Sequence, residues 1–110
     1  MFTNKTQMEV LNRRMEVIAH CFFESKKEID QGVAMQDPGS KPNMNSRSLF
    51  IKKVEETYDQ LDSLEKLFIN NEYFYQDYPY WWEDLYPAST YYRYKKKAVV
   101  RFLRLFFNET

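Results

Sequence analysis

The chain has 110 residues, sixteen basic and sixteen acidic side chains, and a hydrophobic content of 44%. That is the length of one domain, or of a small domain plus an arm, and a net charge of zero singles out no partner for the chain as a whole. The one cysteine, Cys21, rules out an internal disulfide framework, the one histidine, His20, adds too little for a structural zinc site, and no apolar run approaches the roughly 18 residues of a membrane span.

Two glycines stand against nine Tyr, nine Phe and two Trp. So few glycines disfavour a turn-rich β-sandwich and any Gly-rich phosphate loop. The N-terminus has no apolar stretch of signal-peptide type, so a cytoplasmic protein is expected. Nothing in the composition calls for a cofactor or a metal. The expected fold is all-α, with its core built from helices and aromatic rings.

In chain order, the first helix is expected from about Thr6 to Gly32, within an N-terminal unit of residues 1–34. Met8, Leu11, Met15, Ile18 and Phe22 are spaced alternately three and four apart. That spacing makes a helix seam. It serves first for packing on the chain's own domain, with a dimerisation arm as the alternative, so a homodimer stays open. The stretch DPGSKPNMNS (37–46) has no periodicity and is rich in turn residues. It marks a loop or linker spanning 35–47.

A helical domain is expected over 48–110. Its first helix should run from Ser48 to Asn70 or Asn71, with Phe50, Val54, Tyr58 or Thr57, Leu61, Leu64, Leu67 and Phe68 as its apolar stripe. Asn70 and Asn71 are a plausible stop, because Asn tolerates the left-handed conformation. The opposite face is acidic, and residues Glu55 to Glu65 could meet RNA polymerase, another transcription protein or a second protomer. Glu55, Glu56, Asp59 and Asp62 are too few and too solvated to read as a cation site.

Half of residues 73–94 are aromatic. Pro79 and Pro87 bracket a segment that reads as a short helix of about two turns, with a strand as the alternative. Large rings suit a small core, and they also suit stacking on unpaired bases. Tyr75, Tyr80 and Trp82 are the rings most easily left for a partner protein. Glu83 and Asp84 read as surface carboxylates able to pair with the basic helix that follows.

The last helix should start at a Ser89–Thr90 cap and end near Phe107, with Tyr91, Tyr94, Ala98, Phe102, Leu105 and Phe106 inward. The zero net charge hides an asymmetry here. Residues 1–87 carry ten basic and fifteen acidic side chains, and residues 88–110 carry six basic and one acidic. Compensation of the helix dipole accounts for Arg101 and Arg104 but not for Arg93 to Lys97 near the N-terminus. A helix with one sign of charge and an apolar stripe behind it is the footprint of a nucleic-acid reader. A short helix, a Pro-containing turn and a basic helix make a helix-turn-helix at about 79–107. In that geometry Ser89, Thr90, Tyr92, Arg93, Lys96 and Lys97 face base edges, and Lys95, Arg101 and Arg104 meet phosphates.

The pattern Ser89-Thr90, Arg93, Ala98, Phe102 resembles the recognition helix of sigma-factor region-four-like helix-turn-helix proteins. With VEETYDQLDSLEKLFINNEYF ahead of it, residues 48–107 look most like the small phage late-transcription regulators of the ArpU and RinA type. The resemblance implies a transcriptional activator bound to double-stranded DNA in a bacterial host cytoplasm, encoded by a phage or mobile element. The chain departs from that pattern in its short aromatic first helix and in having Pro87 where Gly is common. The alternative is a helical protein-interaction module that modulates a transcription protein through its aromatic patch. Enzyme chemistry is not expected, because adjacent His20 and Cys21 point about 100° apart on a helix and cannot form a nucleophile–base pair.

Overall fold

The computed structural model describes residues 4–35 and 44–108, with side chains placed for 7–30 and 46–108. The fold is all-α. Four helices, α1 (Asn4–Met35), α2 (Met44–Asp59), α3 (Ser63–Ile69) and α4 (Ala88–Phe106), are joined by a π-helical turn (Asn70–Phe74) and a loop over 75–87. No strand occurs among the described residues. The centre of the expected linker, residues 36–43, lies outside the described residues, and 44–47 already belong to α2.

The seam of α1 turns inward. Met15, Ile18 and Phe22 are buried in the core, and Leu11 packs against it. Met8 is half-buried. The same apolar spacing therefore packs α1 on its own domain, and these residues are not a free dimer seam. Burying three large side chains in the chain's own core gains roughly 1.5–3 kcal/mol each without the cost of ordering a second copy.

The single helix expected from Ser48 to Asn70 is broken. It stops at Asp59 and restarts at Ser63, with Asp62 as the N-cap of α3. The Asp62 carboxylate accepts from the Glu65 amide at 2.8 Å, and Glu65 Oε1 accepts from the Asp62 amide at 2.9 Å. This is a reciprocal capping box, which satisfies two amides that a helix start leaves unpaired. The break lets α3 swing away from α2 while Leu61, in the corner, stays buried.

The chain does not stop at Asn70–Asn71 either. It widens by one residue into the π-helical turn, closed by the Tyr75 amide donating to the Asn70 carbonyl at 2.8 Å. Such widenings re-aim side chains and recur at functional sites. Here Tyr73 turns into the core, and its hydroxyl donates to Asn12 Oδ1 of α1.

Residues 79–86 form successive turns rather than the expected short helix. The amides of Trp81, Glu83 and Leu85 each donate to the carbonyl three residues back, at 2.9–3.1 Å. Ring packing takes over from helical pairing. Phe68, 1% exposed, meets Trp81, Tyr86, Tyr91 and Tyr94 with centroids 5.0–6.0 Å apart. Trp82 stacks on Tyr91 at 4.0 Å. Aromatic pairs of this kind contribute about 0.5–1.5 kcal/mol each beyond their burial.

The start of α4 also differs from the expected Ser89–Thr90 cap. Pro87 is the N-cap, in extended conformation, and its carbonyl accepts from the Tyr91 amide at 2.9 Å. The ring fixes φ near the value found there, so the chain enters the helix without a side-chain cap. The far end closes at Asn108, whose φ of 55° is the left-handed geometry Asn tolerates at a helix stop.

Replacing Asp62 by Ala should cost about 1 kcal/mol of stability. A downward shift of the urea midpoint with unchanged slope would register it. No shift would mean that packing alone sets the α2–α3 corner.

Candidate nucleic-acid interface on the last helix

The rotation of α4 about its axis is set by its buried side: Tyr91, Ala98, Val99, Phe102, Leu103 and Phe106. At 3.6 residues per turn this side fixes where every cation points. Arg93, Lys97 and Arg104 fall on one exposed face and are all solvent-accessible. They span twelve residues, eleven rises that add to about 16 Å along the helix. Lys96, half-buried, and Arg101 flank them. Together with Val100 and Leu105 they line an open groove of about 620 Å³, in which Glu65 is the one acid. Glu65 is itself committed to the capping box. Its buried carboxylate lies 3.7 Å from the Arg101 guanidinium, whose side chain is 54% exposed. Arg101 is thus drawn toward α3 but remains open to solvent. The Arg93 guanidinium lies 5.4 Å from the Tyr94 ring centroid, a contact that holds the charge near the start of the helix.

Ser89 and Tyr92 are exposed at the N-terminal end, with Tyr92 59% accessible, and Thr90 is half-buried. Ser89, Thr90, Arg93, Lys96 and Lys97 therefore share the outward side or its border with the groove. Tyr92, seven before Val99 and eleven before Leu103, lies over the buried side of the helix and is exposed only at its N-terminal end.

Lys95 is the exception among the expected phosphate contacts. Its position, four after Tyr91 and three before Ala98, is the core register of α4. The side chain is only 16% exposed and lies 3.4 Å from Glu72 Oε1, itself 9% exposed. The ammonium also sits 5.8 Å and 5.7 Å from the rings of Tyr73 and Tyr91. The other Glu72 oxygen, Oε2, accepts from Trp81 Nε1 at 3.4 Å. A cation in the core needs a counter-charge and hydrogen-bond acceptors around it, because desolvation is otherwise prohibitive. The π-helical turn supplies them by aiming Glu72 at α4. Burial, then the carboxylates of Glu72 and Glu16, push the Tyr73 phenol well above its ordinary range, so it stays a neutral donor to Asn12.

The sequence carried one signal for this pair that periodicity makes readable: a lysine in an apolar stripe. It carried none for the identity of the partner, which comes from a π-widened turn 23 residues earlier.

The rings expected to be left for a partner divide. Tyr75 and Tyr80 are 58% and 70% exposed, whereas Trp82 is tied down on Tyr91. Of the other titratable groups weighed, His20 and Cys21 are exposed on α1, and Asp62 belongs to the α3 cap rather than to a set with Glu55, Glu56 and Asp59. Among the described residues no three His, Cys, Asp or Glu side chains converge as metal ligands, and no helix is long and apolar enough to cross a membrane. The chain matches no family model, no curated protein and no solved structure.

Lys95→Ala should destabilise the fold by about 3 kcal/mol or more, because it leaves Glu72 buried and uncompensated. Lys95→Met combined with Glu72→Leu should recover most of that loss. Chemical denaturation of the two variants makes the comparison. A double variant as unstable as the single one would show that the pair's surroundings, and not its charge balance, carry the energy.

Proposed function

We propose that this chain is a double-stranded DNA-binding transcription regulator that lays the exposed face of α4 in the major groove. The observation that carries this is the straight stripe of Arg93, Lys97 and Arg104, flanked by Lys96 and Arg101, on a helix with no acidic residue. An α-helix fits the major groove of B-DNA, and a one-signed face about 16 Å long matches the groove's run of flanking phosphates.

The docking differs from a tight helix-turn-helix. A thirteen-residue loop, not a three- or four-residue turn, precedes α4. The helix therefore enters the groove with the aromatic loop at its N-terminal end. Ser89, Thr90, Arg93, Lys96 and Lys97 are the base-facing candidates, with Arg93 suited to a bidentate contact with guanine. Arg101 and Arg104 serve phosphates, and Lys95 serves the fold. The narrower assignment to an activator of phage or mobile-element genes is supported by the resemblance of residues 48–107 and by nothing further.

A second reading, a protein-interaction module working on a transcription protein, is favoured by the exposure of Tyr75 and Tyr80. Duplex DNA binding across a salt series separates the two. Fragments from the source genome and a scrambled control are the probes. One fragment should win by at least about a thousandfold, with affinity falling steeply as salt rises. Arg93→Ala should then cost about 1–3 kcal/mol and relax preference at one base pair. Arg104→Ala should weaken all sequences alike and lower the salt slope by about one. The Lys95→Met/Glu72→Leu variant should bind as the parent does. Weak binding indifferent to sequence would favour the protein-interaction module instead.

A further inference from the structure

Two surfaces at opposite ends of α4 are complementary. One is the loop over 75–87. Trp81, Trp82 and Tyr86 pin it to Phe68 and Tyr91, so it is held in shape before any partner arrives. From that base Tyr78, Tyr80 and Leu85 stand out, 77%, 70% and 61% exposed. The same loop carries three exposed carboxylates, Asp77, Glu83 and Asp84. Among the described residues none of them has a cation within 4.0 Å. Rigid exposed Tyr and Leu anchors cost little ordering on binding and suit the centre of an interface.

The other surface is an open groove of about 770 Å³ along the first half of α1, closed at one end by Phe107. Val10, Val17 and Phe107 expose about half of their surface there. Arg13 and Arg14 line it with Glu9, and neither arginine has a carboxylate partner among the described residues. The groove is apolar with an excess of positive charge, and the loop is apolar with an excess of negative charge.

One copy cannot fill its own groove. The loop is fastened at the start of α4, Phe107 follows its last turn, and the helix between them is about 28 Å long. We propose that the occupant is a second copy of this chain: the loop of each copy seats in the α1 groove of the other. Reciprocal exchange closes a two-fold dimer. None of the residues that meet in this interface belongs to the Arg93–Arg104 face, and it stands whether or not that face binds DNA.

The test is sedimentation velocity of the full chain, free of nucleic acid, over a concentration series reaching the millimolar range. The wild type should pass from monomer to dimer, more weakly as salt rises. Tyr80→Ala with Leu85→Ala should raise the dissociation constant by at least about tenfold, close to 1.4 kcal/mol. Two charge reversals, Arg13→Glu/Arg14→Glu and Asp77→Lys/Glu83→Lys/Asp84→Lys, should each be monomeric alone. Mixed together they should form a heterodimer, because both exchanged contacts are then of opposite charge. All the substituted side chains are exposed, and helical circular dichroism checks each fold. A wild type that stays monomeric throughout overturns the proposal. So does a loop variant that dimerises as the wild type does, or a mixture of the two reversals that stays monomeric.

Discussion

The register of α4 governs this molecule. Phe102 and Val99 are fully buried, and Ala98 nearly so, at the middle of that helix. A core packed at crystalline density leaves such a helix one rotation about its axis. From that rotation follow the outward stripe of Arg93, Lys97 and Arg104, the inward Lys95, and the side on which Tyr91 receives Trp82. A rotation of one residue, about 100°, would bury cations and expose rings.

The inward lysine has consequences beyond α4. A buried ammonium must be met by a carboxylate, and the one acid of α3, Glu65, faces Arg101 instead. The π-helical turn after Ile69 carries Glu72 to Lys95, Tyr73 to Asn12 of α1, and Phe74 to the rings of Phe22 and Phe23. One widened turn therefore joins three helices. Past it, the loop over 75–87 keeps only single-turn hydrogen bonds, and rings fasten it to the helices. Phe68 supplies the anchor. Because the loop is pinned by Trp81, Trp82 and Tyr86, its remaining side chains are displayed rather than collapsed. The fold thus produces two distinct exposed surfaces from one element pair: a basic face along α4 and an acidic, aromatic loop before it.

This separation shapes the functional proposals. Charge asymmetry along the chain is a sequence property, but its use depends on which charges remain free. Lys95 is neutralised inside and Arg101 is shared with Glu65, which leaves Arg93, Lys96, Lys97 and Arg104 as the cations unshared among the described ion pairs of α4. Likewise the seam of α1 is consumed by the core. What α1 offers outward is its other side, Val10 and Val17 beside Arg13 and Arg14.

Periodicity and composition by themselves determined the all-α class, the inward faces of α1 and α4, and the basic character of the last helix. These follow from local physics: apolar spacing at 3.6 residues and the sign of neighbouring charges are visible in any window of the chain. The Asp62–Glu65 capping box was also local, and only the stronger apolar stripe through Leu61 and Leu64 hid it. The remainder was decided by contacts between distant residues. The stripe of α1 reads the same whether it faces its own core or a second copy, and only packing against α2 and α4 chose. Pro79 to Tyr86 carries a plausible helix pattern, and rings from α3 and α4 outweighed it. Lys95 was one of six cations until the carboxylate of Glu72, 23 residues away, took it into the core. A local signal fixes which side of an element is apolar, and the tertiary structure fixes what that side meets.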